Sequence, residues 1–456
     1  MTDSRQLVRK RVGLESLICL HVIACCVSLA CVATIYPQYH LHFRPAELAG
    51  AAAVIAAFAL ISILFIFSEF SFGFFVGFYF FTMVTGYLWL NTFSEFDYNH
   101  RLTGLSAAAA AIAFLLPALL VTKPLKTIWM PSVAAFDRLL NGILVLSVAT
   151  FAAGAAYNFN LAPLNKLIAL DSDIYVLRDS LQFPTILNYL FGMVTGALLP
   201  FAFACFLERR NFWRAGMVLA LILLFHPILL SKTVLLSSAW LVAMATLSRL
   251  FEVKVAVVLS LLAPLIIGLV FFVLFWIGAI PEKAMIPYFS LINFRMITIP
   301  SMAMDYYNEF FSKNDLTHFC QIGLLKRLMP CPYQEPLGQV IYNAFRIGGN
   351  FNASLFATEG IASVGPMFAP VTALVGGMVI ALANRMSAGL PPRFILVSGA
   401  VIPHILLNVP FTVVMLTHGA AVLFLLWYVT PRAMFRPTHE QTDQPGAPLA
   451  KLTGAQ

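Results

Sequence analysis

The chain alternates long apolar runs with short polar segments, and the run lengths decide the reading. Stretches of membrane-spanning length, about 20 residues as helix, fall at roughly 14–36, 46–68, 71–92, 104–122, 139–158, 186–207, 215–231, 233–248, 255–280, 363–384, 394–408 and 411–430. They predict an all-α polytopic membrane protein with about twelve transmembrane helices in a single domain over residues 1–436. Residues 215–248 also admit one interrupted span, and 394–430 admits a re-entrant piece around Pro403-His404 and Pro410. The run at 14–36 exceeds the ~7–15 residues of a signal-peptide core, so it reads as an uncleaved first span. Residues 437–456 are polar, rich in Pro and Gly and aperiodic, the pattern of a disordered tail.

Composition agrees. The chain is 60% hydrophobic and 11% charged, against about 25% charged in a soluble domain, and its mean hydropathy is +0.87. A net charge of +8 raises the question of nucleic acid, but distribution answers it. Lys and Arg fall between the runs, in "RQLVRKR" at 5–11, at Lys123, Lys126 and Arg138, in "ERRNFWR" at 208–214, and at Arg249, Lys254, Arg385, Arg393, Arg432 and Arg436. That is the positive-inside bias of cytoplasmic loops. It predicts both termini on the cytoplasmic side, large external loops at about 159–185 and 281–362, and no nucleic-acid partner.

Five cysteines (19, 25, 26, 31 and 205) lie in apolar runs and read as small packing residues. Cys320 and Cys331 share the larger external loop. An oxidising exterior would join them in a disulfide, and a reducing one would leave two thiols.

Transporters place polar groups within their spans. Here the mid-span regions are nearly uncharged, and ionisable residues gather at the external boundary. Arg178 occurs with Asp171, Asp173 and Asp179 in "DSDIYVLRDSLQF", where a solvated ion pair is the plain alternative to a site. Lys232 stands between apolar runs and must reach headgroups or an anion. Arg295 lies among Ile292, Met296, Ile299, Met302 and Tyr306 at helical spacing, which predicts an amphipathic helix along the membrane surface. Arg346 precedes Gly348-Gly349, Asn350, Asn352 and Glu359. Cations with tyrosines (Tyr306, Tyr307, Tyr333, Tyr342) and carboxylates, Asp305 among them, at one membrane face suit a lipid diphosphate carrying a sugar. Guanidinium groups bind phosphate in a fork and lysine supplies a point charge.

The order of "VLRDS", "SKTVL", "FRMITIPSMAMDYYNEFF" and "NFNASLFATEGIASVGP" resembles the bacterial oligosaccharide repeat-unit polymerases, also called O-antigen or exopolysaccharide polymerases. The likeness spans about residues 165–385. It implies an inner-membrane glycosyltransferase that joins undecaprenyl-diphosphate-linked repeat units without a metal or other cofactor. Carried over are Arg178, Lys232, Arg295 and Arg346 as groups that stabilise charge on the departing diphosphate, with Asn352 in the Asn-Ala step. Thr358 stands where family members often have an acid. Glu359 is therefore the first choice of general base, with Asp305 and Asp173 behind it. Implied partners are the lipid-linked oligosaccharides, membrane lipids, and the pathway's chain-length regulator and flippase. A flippase or exporter of a polyprenyl-linked glycan, an O-antigen ligase-like transferase and a scaffold partner of an assembly complex are the competing readings.

Overall fold

A helix that is apolar on every side belongs either in lipid or in the middle of a bundle. The span Phe72–Phe93 takes the middle. The computed structural model describes residues 2–126, 128–160, 183–323, 325–347 and 351–435. Within this span all residues but Asn91 and Thr92 are buried. Its ring of phenylalanines packs edge-on, with Phe80 4.9 Å from Phe114 and 5.0 Å from Phe356 between centroids. Small residues let its neighbours approach: a Cβ at Gly73 would strike the backbone of Ala118, and one at Gly377 the backbone of Phe114.

Among the described residues ten helices are long and apolar enough to cross a membrane, and no strand occurs. The protein is an all-α, multi-pass membrane protein. Residues 215–248 form two spans, Phe212–Leu229 and Lys232–Leu250. The last two predicted spans differ from the expectation. Each is broken, into Pro392–Ser398 with Ile402–Asn408, and Phe411–Leu416 with Ala420–Val429. Val409 is extended ahead of Pro410, the conformation favoured for a residue before proline. Gly419 turns the chain at φ 74°.

Side-chain contacts define two ends of the bundle. At one, Lys254 Nζ donates to Ser68 O at 2.8 Å, Arg385 Nε to Lys123 O at 3.2 Å, and Arg209 pairs with Asp137. This basic end gathers the Lys- and Arg-bearing segments between spans. At the other, Arg44 lies 3.5 Å from Glu95, and Lys313 lies 3.8 Å from Asp97 and pairs with Glu309.

The helix expected along the membrane surface is instead buried within the bundle. Glu282–Phe289, Ser290–Thr298 and Ile299–Phe311 run on without a break. Its polar face looks into protein: Asn293 Nδ2 donates to Ser28 Oγ at 2.9 Å, Ser301 Oγ to Met83 O at 2.9 Å, and Asn308 Nδ2 to Tyr87 OH at 2.9 Å. An amphipathic pattern cannot distinguish water from a polar protein groove, and here the groove is the partner.

A second departure concerns the segment leading into the next span. Phe356–Ser387 has the length of one long helix, but Gly365 adopts φ 74° and ψ 168° and Pro366 follows. The chain reverses there. Leu355 packs on Gly376, while Gly360 faces Ala369 and Thr372, so residues 355–363 lie antiparallel to 366–376. Residues 351–354, outside any helix, lead into the bundle and Phe356–Ala362 leads back out, a re-entrant hairpin held inside protein. The carbonyls of Ala362 and Ser363 accept from Thr317 N at 2.8 Å and His318 N at 3.2 Å. That strap continues into Cys320 and Cys331, which are joined in a disulfide.

Candidate functional site at the end opposite the basic loops

Lys232 opens its helix after a tight turn in which Leu230 takes the left-handed conformation, φ 47°. A branched residue rarely adopts that conformation, and such strain concentrates at functional sites. His226 Nδ1 lies 3.1 Å from Ser231 O and fixes the turn, and Asn158 Nδ2 ties it to the neighbouring span through Ile228 O at 2.9 Å. Lys232 is half-buried and close enough to Arg295 for the guanidinium charge to act on it. Arg295 reaches this place on the π-helical stretch Ser290–Thr298, beside Phe294, whose ring stacks on Tyr36 at 4.4 Å. The wider turn of a π-helix re-aims side chains and recurs at functional sites.

Arg346 caps the helix Leu337–Phe345 in the left-handed conformation, φ 54°, with its N–H on Tyr342 O at 2.7 Å. Its side chain is exposed. Phe345, next to it, packs 4.9 Å from Tyr306, eleven residues beyond Arg295 and therefore about 16 Å along the same helix. Through Phe345, Arg346 lies beside the far end of the helix that carries Arg295. Asn352 is also exposed and covers Gly338, where a Cβ would meet its amide. Arg178 and Asp173 lie outside the described residues.

Other expected site residues are placed differently. Tyr306 and Tyr307 are 0% exposed, with hydroxyls on Tyr39 O at 2.9 Å and Phe351 O at 3.4 Å. They hold the helix, the first external loop and the re-entrant leg together and offer no face to a sugar. Glu359 is 5% exposed. One of its oxygens accepts from Thr412 N at 3.0 Å and Thr412 Oγ1 at 2.9 Å, and the other from Thr358 Oγ1 at 2.5 Å. The first choice of general base thus also fastens the re-entrant hairpin to the broken helix Phe411–Leu416.

Asp305 is buried too. It accepts from Ser94 Oγ at 3.0 Å and from Tyr98 OH. Burial pushes its carboxyl up from 3.8 to about 6 despite those two donors. Between these values the folded protein keeps a proton that the unfolded chain has released. Asp305 therefore favours the fold most below about pH 4, and this contribution is lost as pH rises through about 6. Asp305→Asn, which needs no ionisation, is expected to stabilise the fold at pH 7.5 by up to about 3 kcal/mol, seen as a higher thermal midpoint, and to give no gain at pH 4. Thermal unfolding in detergent at the two pH values checks this, and an equal effect at both would refute it.

Thr412, Ser94 and Tyr98 are the site's supporting residues that sequence reading passed over. Tyr98 and Ser94 sit in the polar segment "SEFDYNH", which marked a loop without marking its partner. Thr412 carried no signal beyond following Pro410. Among the described residues no group of three His, Cys, Asp or Glu is placed to hold a metal ion.

No family model, no curated protein and no solved structure matches the chain. The functional reading accordingly rests on its own residues.

Proposed function

We propose that this protein polymerises polyprenyl-diphosphate-linked oligosaccharide repeat units by glycosyl transfer at the end of the bundle that carries Lys232 and Arg295. The observation that carries the reading is that these two cations, from helices distant in sequence, lie within electrostatic range of each other. Like charges brought into electrostatic range suit an anion that spans both, and a diphosphate does so. In the proposed reaction an acceptor sugar hydroxyl attacks the donor's anomeric carbon, the carbon–oxygen bond to the diphosphate breaks, and the hydroxyl proton passes to solvent. The charge that grows on the departing diphosphate falls on Lys232 and Arg295, while exposed Arg346 and Asn352 face the glycan side.

The near absence of charge in the mid-span regions favours chemistry at one membrane face over passage through it. With the basic end in the cytoplasm of a bacterium, the site faces the exterior, and the Cys320–Cys331 disulfide is in keeping with an oxidising compartment there. Lys232→Ala tests the function in cells. A polymerase defect leaves single repeat units at the cell surface. Absence of any unit outside would indicate a flippase, and polymer retained on the carrier lipid a ligase. Either of those results, or a normal glycan ladder, overturns the proposal.

A further inference from the structure

The segment joining His100–Leu120 to Val133–Tyr157 lies at the basic end, away from the site above. It is fastened rather than loose. Leu125 N donates to Arg385 O at 3.2 Å, Arg385 Nε to Lys123 O at 3.2 Å, Tyr428 OH to Lys126 O at 3.1 Å, and Ile128 N to Tyr428 OH at 2.9 Å. Held this way, the segment turns its most apolar residues outward: Ile128 is 90% and Trp129 65% exposed. Lys123 and Lys126 are exposed as well.

An apolar pair fixed outward beside two cations suits neither bulk water nor the hydrocarbon core. It suits the headgroup layer, where an indole lies half in apolar surroundings and half in polar ones. The adjoining span Val133–Tyr157 is the least buried of the ten among the described residues, so the segment is at the rim of the bundle, where lipid reaches it. We propose that residues 121–126 with 128–130 form an interfacial anchor that recruits anionic phospholipid headgroups, with Ile128 and Trp129 inserted and Lys123 and Lys126 on the phosphates. The charge complementarity follows from the lysines: each contributes about fivefold to attraction near an anionic surface. This inference stands apart from the proposed glycosyl transfer and needs no substrate to test.

The experiment places the full chain in nanodiscs containing either brominated phosphatidylglycerol or brominated phosphatidylcholine at the same mole fraction. Trp129 is isolated by subtracting the fluorescence quenching of Trp129→Phe from that of the unaltered protein. Brominated phosphatidylglycerol is expected to quench Trp129 more strongly. The double variant Lys123→Gln/Lys126→Gln is expected to lose that preference while retaining quenching by phosphatidylcholine and an unchanged thermal midpoint. Equal quenching by both lipids, a preference that survives the double variant, or no quenching at all overturns the anchor, the last placing Trp129 in water or against a protein.

Discussion

If the protein carries out the proposed glycosyl transfer, Arg295→Ala is expected to reduce glycan polymerisation by about 10²–10³-fold, the usual loss when one preorganised donor to a developing oxyanion is removed. The surface ladder should collapse to single repeat units while the thermal midpoint of the purified protein stays within the range of ordinary surface substitutions. Arg295→Lys decides between two kinds of contribution. If the guanidinium grips phosphate through two parallel hydrogen bonds, a lysine at the end of a flexible stem restores the charge but not the fork. Polymerisation should therefore stay at least tenfold down. Ladder length, read from lipid-linked glycan in vitro, is the direct measurement, and a ladder of normal length in Arg295→Ala would remove this residue from the mechanism.

Glu359 gives the second large effect, and the choice of substitution matters. Glu359→Ala strips the acceptor from the Thr412 N–H and from the Thr412 hydroxyl inside the bundle. Leaving these two donors unpaired, together with the packing lost, is expected to destabilise by about 2–5 kcal/mol. Glu359→Gln keeps the shape. Its carbonyl oxygen accepts from both Thr412 donors, and its amide donates to Thr358 Oγ1, which already has its own acceptor in Ser354 O at 2.8 Å. A positioning role therefore predicts that Glu359→Gln retains most of the polymerising activity and the thermal midpoint, whereas Glu359→Ala loses both. A general base would behave in the opposite way, with activity falling about 10²–10⁴-fold in the glutamine variant at unchanged stability. The two readings separate on one pair of measurements.

The same residues show where sequence reading succeeds and where it stops. Lys232 stands out in sequence because a cation between apolar runs needs a reason, whereas Arg295 stands out only through the amphipathic spacing around it, a spacing that turned out to face protein instead of a membrane surface. Glu359 and Asp305 had the same kind of local oddity, yet the structure gives them interior partners, Thr412 in one case and Ser94 with Tyr98 in the other. Tyr306 and Tyr307 failed as sugar platforms for a related reason. An aromatic next to charged residues looks the same in sequence whether its face meets solvent or Phe351, and only packing decides.

Span length, the basic loops and the two loop cysteines were legible because each depends on a property of the local chain: how many apolar residues follow one another, and which polar groups interrupt them. A bilayer reads those properties one segment at a time. The burial of 289–308, the reversal at Gly365 and the two broken final spans depend instead on where polar backbone and side-chain groups find partners. In a low-dielectric interior those partners come from distant helices. The chain alone thus determined that the molecule is a helical membrane protein with cations gathered toward one face. Tertiary structure decided which of those charged groups meet and which are locked away, because hydrogen-bond satisfaction is a property of the assembled bundle.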